Sequence, residues 1–310
     1  MRRHRLPSKQ HGVAMLAAMM VVAIGVTIAA NLLWTANLEI HRTRNLNNMD
    51  QARQYALGAE AWVADTLLID AQETQWDSLD EAWAVTLPPL PIDGGQLTGN
   101  IEDMQGRFNL NNLVTQTGQK DEMWYNVFVR MLMLLEIDPQ IADAVVDWID
   151  ADVEVTFPTG AEDDAYTGAE PAYRTANVYL TDASELRTVQ GIEGPVWLAL
   201  KPHVTALPRG TLINVNTAQE TVLAALAEGV TVFDAQLITE NRIGEPYESL
   251  DQVSAFLPQE ALAIATVSSE YFGVNSIVSL GTTQFSMYSL LERDQRNGTI
   301  ATRLRRSGFE

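Results

Sequence analysis

The residues best suited to chemistry are the acidic side chains between Asp143 and Glu170. This stretch carries no lysine or arginine and nine carboxylates, namely Asp143, Asp147, Asp150, Asp152, Glu154, Glu162, Asp163, Asp164 and Glu170. Hard cations such as Ca²⁺ take six to eight oxygen ligands, and clustered carboxylates on a loop can supply them. Asp150, Asp152 and Glu154 alternate with apolar residues, which places several carboxylates on one side of the chain. The pattern is not an EF-hand loop, because its twelfth position would be Ala161.

Two interpretations of this acidic segment are open from the residues alone. Asp143, Asp147 and Asp150 are spaced i, i+4 and i+7, so they would share one side of a helix. A helix face of this kind is typical of a solvated surface, whereas a cation site requires the carboxylates to converge. Paired carboxylates can also serve as the acid and base of a glycosidase, but no aromatic-lined cleft for a sugar is visible in the sequence.

Other catalytic groups are scarce. The chain has no cysteine, which excludes thiolate chemistry and disulfides, and its four histidines are too few for a histidine-rich metal site. A Ser-His-Asp triad would have to use His41 or His203, and both are more typical of surface or packing positions. Trp124, Trp148 and Trp197 lie at apolar positions of predicted helices and are predicted to belong to the core. The sequence therefore predicts a structural protein and not an enzyme.

An uncharged N-terminal stretch anchors the body that carries these acids. Val13 to Ala36 holds 24 residues without a charge, enough for a helix to span a bilayer. The leader before it contains no acid and is basic through Arg2, Arg3, Arg5 and Lys9. This bias predicts a single-pass protein with the leader in the cytoplasm and the body on the other side. Gly12 precedes the stretch and no small-x-small site follows it, which predicts cleavage between Gly12 and Val13.

The apolar stretch is predicted to continue as one helix from Val13 to about Asp70. Residues 37–77 contain no proline and one glycine, and apolar residues recur there at roughly helical spacing. At about 1.5 Å per residue the helix would be about 85 Å long, a length more typical of a filament subunit than of a globular domain. The proline-rich segment 88–91 ends the helical pattern.

Strands are predicted on both sides of a large helical segment. Short strands are indicated around Gly99 and Gly106, and residues 271–279 and 285–291 alternate with period two. Asn297-Gly298 is typical of a two-residue hairpin turn. We therefore predict a three-stranded C-terminal antiparallel meander that pairs with the early strands. The predicted fold class is α+β, a long N-terminal helix on a small antiparallel sheet with a large all-α domain inserted.

The predicted insertion contains a weak internal repeat. The segment FNLNNL at 108–113 resembles INVNTA at 213–218, and a helical pattern follows each copy. We predict two tandem modules of the sterile-alpha-motif (SAM) or helix-hairpin-helix type, with helices at 123–135, 139–149, 182–189, 219–227, 233–242 and 250–256. Such hairpins bind DNA phosphates when they are basic, but the hairpin at 227–231 contains an acid and the formal net charge is −20. Nucleic acid is therefore not an expected partner.

The N-terminal motifs carry a family resemblance. The basic leader, Gly12 and the run VAMLAAMMVVAIGVTIAANLLW resemble the signals of type IV pilins and of type II secretion pseudopilins. Most of those proteins have a glutamate at the fifth position after the cut, where this chain has Ala17. This missing acid, together with DWIDAD, AEDD and INVNTA, is similar to the GspK family of minor pseudopilins, and the resemblance covers essentially the whole chain.

The resemblance implies a function and partners. It implies cleavage by a prepilin peptidase, an anchor in the cell inner membrane, a periplasmic soluble domain, and the minor pseudopilins GspI and GspJ as partners. In the family the missing glutamate is thought to neutralise the N-terminal amine of the next subunit, so Ala17 implies a place at the tip of the pseudopilus. The alternative function is a membrane-anchored helix-hairpin-helix protein that binds nucleic acid, as in competence, and it would require basic hairpins.

The resemblance also favours calcium, because GspK proteins bind calcium in this part of the α-domain. The expected ligands are Asp147, Asp150, Asp152, Glu154, Glu162, Asp163 and Asp164. The expected domains are a cleaved leader at 1–12, a transmembrane segment at 13–36, a pilin-like first part at 37–111, an inserted α-domain at 112–265 with modules at about 112–206 and 212–265, and pilin-like strands at 266–310.

Overall fold

One long helix dominates the N-terminal part of the molecule. A computed structural model describes residues 11–86 and 88–308, and in it helix α1 spans His11–Glu73, about 95 Å at 1.5 Å per residue. Within these described residues, α1 is the one helix long and apolar enough to cross a membrane, and its most apolar window, with a mean hydropathy of 2.5, is unburied. Residues 1–10 of the predicted leader lie outside the described residues.

Strands enclose a helical segment after α1. The first strands are β1 (Leu90–Ile92), β2 (Gly95–Asp103) and β3 (Phe108–Asn109). The segment that follows contains α2 (Glu122–Leu134), α3 (Ile141–Ile149), α4 (Asp163–Tyr166), α5 (Gly194–Leu200), β4 (Val204–Thr205), β5 (Ile213–Asn214), α6 (Glu220–Ala225), α7 (Val232–Asn241), α8 (Gln259–Leu262) and β6 (Ala265–Thr266). The last strands are β7 (Tyr271–Leu280), β8 (Thr283–Asp294) and β9 (Thr299–Ser307).

The main sheet joins chain segments that lie on either side of the helical segment. Its five antiparallel strands have the order β1-β2-β7-β8-β9. Strand β2 pairs with β7 along its whole length, from Gly95 opposite Leu280 to Asp103 opposite Phe272. The predicted C-terminal meander and its pairing with an early strand are both present. The helical segment is therefore an insertion between two neighbouring strands of one sheet.

The second half of α1 packs on this sheet. Side chains up to Gln51 are mostly exposed. The buried stripe begins at Ala52 and repeats every three to four residues, at Ala56, Glu60, Val63 and Leu67. Ala52 and Ala56 pack with Val278, Leu280 and Met287, and Val63 and Leu67 pack with Trp83, Phe272, Val274 and Leu291. The helix is therefore exposed on all sides before about Ala52 and packs against the sheet after it.

Glu60 interrupts this apolar stripe as a buried acid. Its carboxylate accepts hydrogen bonds from Ser289 (2.5 Å), Thr302 (2.9 Å) and the Arg305 guanidinium (2.5 and 2.9 Å). Burial tends to raise the pKa of Glu60, but the hydrogen bonds from Arg305, Ser289 and Thr302 outweigh burial and lower the pKa below its usual 4.5. One acid therefore ties α1 to both β8 and β9.

We expect Glu60→Gln to destabilise the protein by about 1–3 kcal/mol at neutral pH, because a buried charged acceptor is lost. The pKa of Glu60 is lower in the folded than in the unfolded state. The stability that the ionised Glu60 contributes is therefore fully present above the unfolded-state pKa, and it is lost as pH falls through the folded-state pKa. The difference between wild type and variant should therefore shrink below about pH 4.5. This difference in stability can be measured by urea unfolding of the full chain in micelles, with tryptophan fluorescence as the probe. The exposed Glu73→Gln is the control, and a pH-independent difference would contradict the assignment.

The two copies of the internal repeat have matched hydrogen bonds. Asn109 accepts from the backbone N–H of Asn111 (3.2 Å), and Asn214 accepts from that of Asn216 (2.9 Å). Each copy begins with a two-residue strand that pairs in parallel with a strand at the end of its module, β3 with β4 and β5 with β6. The side-chain amide of the second asparagine in each copy accepts from the N–H and donates to the C=O of one distant residue. Asn111 does so with Leu180, and Asn216 with Tyr247.

Several predicted elements differ from the structure. Gly106 lies in a 3₁₀ turn (Met104–Gly106) and not in a strand, and the predicted helices at 182–189 and 250–256 are 3₁₀ turns at Ala183–Thr188 and Leu250–Val253. Each of these last two turns has a capping box but is too short for a stable α-helix. The insertion is also not strictly all-α, because it contains β4 and β5, which pair with β3 and β6 at its two ends.

Candidate metal centre

The acids at i, i+4 and i+7 lie on α3 and at its C-terminal end, and all three are buried. Asp143, Asp147 and Asp150 have exposed fractions of 2%, 0% and 4%. The solvated-face interpretation of these residues is therefore wrong. Asp143 and Asp147 hold the following loop: Asp143 accepts from the hydroxyls of Tyr125 (2.6 Å) and Thr159 (2.8 Å), and Asp147 accepts from the N–H of Thr156 (3.0 Å).

Three carboxylates converge at the end of α3. Oxygen atoms of Asp150, Asp152 and Glu162 lie within 4.8 Å of one another. Asp150 follows the last residue of α3, Asp152 lies on the next loop, and Glu162 precedes α4. Oδ1 of Asp150 and Oε1 of Glu162 are buried and have no hydrogen-bond donor among the described residues. Two buried acceptors without donors are the pattern that a bound cation would complete.

The electrostatics of the cluster favour a positive ligand. Burial, followed by the charges of Asp152, Asp147 and Glu162, raises the pKa of Asp150 to about 7. Burial and the neighbouring Asp147 and Asp152 also raise the pKa of Glu162, although a hydrogen bond from Thr175 opposes them. Grouping like charges in a partly desolvated place disfavours their ionised forms. A divalent cation would reverse this cost, because each carboxylate would then gain an opposite charge.

Asn177 is a neighbouring residue that sequence analysis missed. Its Oδ1 is buried without a partner, its side-chain amide donates to the carbonyl of Asp152 (2.8 Å), and its N–H donates to the carbonyl of Trp148 (3.1 Å). Asn177 has a φ of 48°, a conformation in which asparagine is enriched. The available signal was an Asn in a stretch without regular structure, and it was too weak to single out this position.

Aromatic rings support the cluster from the core side. Trp148 packs edge-on against Tyr166 at 5.3 Å and against Tyr173 at 6.2 Å. Trp148 and Tyr166 are buried, so the loop between α3 and α4 is fixed at both ends. Trp124 is also buried, as predicted, and Trp197 is partly buried and packs against the edge of the same core.

The other predicted ligands lie outside the group of three. Asp147 is near enough to influence the pKa values of Asp150 and Glu162, but its oxygens already accept from Thr156. Asp163 forms an ion pair with Arg174 (3.2 Å) and accepts from Thr175. Glu154 and Asp164 are exposed. The structure therefore brings together three of the seven expected ligands, with Asp147 beside them.

A second acidic group has a different partner. Oxygens of Asp70, Asp77 and Glu81 also lie within 4.8 Å of one another. The guanidinium of Arg293 reaches Asp77 at 2.5 Å and Asp70 at 3.1 Å. A fixed cation already occupies the place of a metal there, so this group is structural.

The predicted cleavage site lies at the start of α1. Gly12 and Val13 are within the helix, and the side chains of Val13 and Ala17 are exposed on it. No acid lies in the first turn of α1. The surrounding apolar surface, with Leu16, Met20 and Ile24 more than half exposed, is suited to lipid or to other apolar helices.

Comparisons with known proteins place this architecture in a family. Residues 106–209 and 213–275 match the two family models described as type II secretion system (T2SS), protein K. Type II secretion system protein K of Pseudomonas aeruginosa is 36% identical over 96% of this chain and 93% of its own length. The corresponding protein of Aeromonas hydrophila is 31% identical over 97% of this chain and 98% of its own length.

A solved structure agrees with these relatives. The crystal structure of the GspK-GspI-GspJ complex from enterotoxigenic Escherichia coli matches with a TM-score of 0.78 and 27% identity, over 87% of this chain and 100% of the matched chain. The match supports the mixed helical and antiparallel architecture described above. This chain therefore belongs to the protein K (GspK) family, the minor pseudopilins of type II secretion systems.

Proposed function

We propose that this minor pseudopilin caps the tip of a periplasmic pseudopilus and acts there as a structural subunit, not as an enzyme. The observation that carries the proposal is Ala17 on an exposed apolar helix, where most relatives in the wider pilin class have an acid. A subunit without that carboxylate cannot neutralise the N-terminal amine of a subunit above it. In apolar surroundings an unpaired charge is costly, so addition above this subunit is disfavoured.

The inserted domain supports the same position. It has its own large core, which runs from Phe108 to Ala265, and Arg130 of α2 donates to the carbonyls of Ala225 (2.8 Å) and Leu226 (3.1 Å) at the end of α6. The two proposed SAM-like modules are thus one rigid mass between β2 and β7. A mass of this size at one end of a subunit would block further addition, and we propose protein contact, not nucleic-acid binding, as its use.

The complex of the matched structure suggests the partners. That GspK chain is crystallised with GspI and GspJ, and the present chain has an exposed helical segment over residues 13–51, whose first part is apolar. We propose that GspI and GspJ of the same system bind along this helix. The anchor would lie in the inner membrane and the sheet with its insertion in the periplasm.

The tip position predicts where the subunit is found. Immunogold labelling of an epitope-tagged subunit on sheared pseudopili should place it at one end of each fibre.

Ala17→Glu should not improve secretion, because no amine of a further subunit comes within reach. Deleting residues 112–265 should abolish secretion or lengthen the fibres, because the block to addition is gone. Labelling along the shaft in many copies would contradict the cap while leaving the family assignment intact.

Maturation provides a separate prediction. We propose that a prepilin peptidase cuts between Gly12 and Val13, because a glycine directly precedes the uncharged run. Gly12→Val should leave the precursor uncut in cells that contain the peptidase, which a mass shift by immunoblotting detects. Gly25→Val, inside the same helix and with no atom within 4 Å of an added Cβ, is the control and should be processed normally. A native N-terminus at any residue other than Val13 would contradict this site.

We also propose that the group of Asp150, Asp152 and Glu162 binds calcium. Three carboxylates, the unpaired oxygens of Asp150 and Glu162, and the adjacent Asn177 supply the hard oxygen donors that this ion prefers. The ion would join the end of α3 to the segment before α4. Its function would be to hold the loop of residues 151–162 on the first module.

A further inference from the structure

A cleft of about 340 Å³ lies between the segment that follows α1 and the second module of the insertion. Leu79 and Asp80 of that segment line one side of it. Glu220 at the start of α6, Glu240 near the end of α7 and Ile243 just after α7 line the other side. The cleft shares no lining residue with the candidate metal centre, so the two sites are separate.

The three acids of the lining are paired with neutral groups only. Asp80 accepts a hydrogen bond from the N–H of Gly244 (2.7 Å), and Glu220 accepts one from the hydroxyl of Thr239 (3.3 Å). Among the residues that the structure describes, none of Asp80, Glu220 and Glu240 has an ion-pair partner within 4 Å. Neutral donors therefore orient two of the acids and leave all three without a bound cation.

Arg242, the one basic residue of the lining, donates to the backbone instead. Its Nη1 reaches the carbonyls of Val215 (2.7 Å) and Ala218 (2.8 Å), just before α6. Burial lowers the pKa of Arg242, and the nearby charges of Glu220 and Asp80 oppose that effect. The guanidinium thus moderates the negative charge of the cleft without closing it, and the acids outnumber it three to one.

The surroundings of the cleft are also acidic. The second module, residues 212–265, contains eight acidic residues and Arg242 as its single basic residue. A surface with this excess of one sign attracts the opposite sign over more than the contact distance. The same charges repel nucleic acids and anionic lipid surfaces, which leaves a cationic ligand as the match.

Exposed aliphatic side chains accompany the acids. Leu79 is 52% exposed and Ile243 is 74% exposed, one on each side of the cleft. Lysine and arginine carry their charge at the end of an apolar stem, so such a side chain could place its charge among the carboxylates and its stem on Leu79 and Ile243. A small free cation would use the carboxylates but not this apolar rim.

We propose that this cleft docks a basic segment of a partner polypeptide. One lysine or arginine of the segment would enter between Asp80, Glu220 and Glu240. Apolar residues beside it would pack on Leu79 and Ile243. Charge complementarity selects the partner, because an acidic cleft in an acidic module attracts a basic segment and repels an acidic one.

The test uses the full chain in non-ionic micelles, with empty micelles as the blank, and two fluorescein-labelled peptides. One is Ser-Leu-Arg-Ile-Lys-Leu-Ser, and the other has glutamine at both basic positions. Fluorescence anisotropy should show saturable binding of the basic peptide alone, and that binding should weaken as salt rises. Equal binding of the two peptides would overturn the proposal.

Matched variants locate the binding in the cleft. Glu220→Gln with Glu240→Gln should weaken binding about fivefold or more, since two favourable charge pairs are lost. Ile243→Ser should also weaken binding, by a smaller factor. Glu228→Gln with Glu260→Gln removes the same charge from exposed positions of the same module outside the cleft and should change binding less than twofold. An equal loss in this control would show diffuse attraction to the module and overturn the cleft as the site.

Competition separates a polypeptide from a free cation. Millimolar free arginine amide, at constant ionic strength, should displace little of the peptide, because it lacks the apolar neighbours. Displacement of most of the peptide, with Ile243→Ser binding as the wild type does, would show a site for free cations and overturn the polypeptide proposal. Melting curves of the variants check that each one is folded, and the salt dependence in the wild type needs no substitution.

Discussion

Neutralising Asp150 and Asp152 together is expected to abolish the stabilisation of this protein by calcium. In the wild type, calcium at 100 times its dissociation constant should raise the free energy of unfolding by about 2.7 kcal/mol, and a chelator should remove that gain. Asp150→Asn with Asp152→Asn removes two of the three convergent carboxylates, so the melting curve of the double variant should be the same with calcium and with chelator.

The same substitutions should have the opposite effect without the metal. The like charges of Asp152, Asp147 and Glu162 add to burial in raising the pKa of Asp150 to about 7, so the ionised cluster opposes folding. In chelator, the double variant should therefore be at least as stable as the wild type. A variant that merely damaged the fold would be less stable in both conditions.

A matched control lies in the same insert. Glu154→Gln with Asp164→Asn removes the same charge from two exposed acids that the structure leaves outside the cluster. This variant should keep the full calcium response by differential scanning calorimetry or by fluorescence. A wild-type melting curve that does not respond to calcium or chelator would reject the metal centre, and loss of the response in the control would reject the three-residue assignment.

Most of the fold could be predicted because its signals are local. Uncharged residues 13–36, the proline-rich segment at 88–91 and Asn297-Gly298 each specify their own element. The pairing of β2 with β7 followed from alternation at the two ends of the chain. The 3₁₀ turns at Ala183–Thr188 and Leu250–Val253 were predicted as helices, because capping boxes mark where a helix begins and not how far it continues.

The candidate site was less predictable because convergence is a tertiary property. Sequence spacing placed Asp150 and Asp152 together but could not show that the loop of residues 153–161 brings Glu162 back to them. Spacing also could not show that Asp143 accepts hydrogen bonds from Tyr125 and Thr159. Nor could it show that Asp163 pairs with Arg174 and accepts from Thr175. Composition thus identified the segment, and the hydrogen bonds of the folded loop decide which of its acids are free to bind an ion.

Sequence patterns gave no sign of the buried centre around Arg293. Its side chain is 1% exposed and sits 4.8 Å from the ring of Phe272. It donates to both carboxylate oxygens of Asp77 (2.5 and 2.6 Å), to Asp70 (3.1 Å) and to the carbonyls of Leu67 (3.1 Å) and Ser269 (2.8 Å).

This centre connects the sheet to the inserted domain. Asp77 accepts from the N–H of Ser269 (2.7 Å), whose hydroxyl donates to Asp103 (2.6 Å). Asp103 in turn accepts from Asn214 (2.9 Å) at the start of the second module. The end of α1, strand β8 and the second module are thus held by one continuous buried network, and removing any charged member leaves another without its partner.

Arg293→Met is therefore expected to cost about 3–5 kcal/mol of stability, the usual result of breaking a buried ion pair from one side. Burial raises the pKa of Asp77, and the charge of Arg293 opposes that rise, so the variant should bury an acid that no longer has its cation. Adding Asp77→Asn to Arg293→Met should recover part of the loss, because the orphaned charge is gone. The exposed Arg296→Met should change stability by less than about 0.5 kcal/mol. Urea unfolding of all four proteins measures these differences in stability, and a cost below about 1 kcal/mol for Arg293→Met would show that the network does not hold the two domains together.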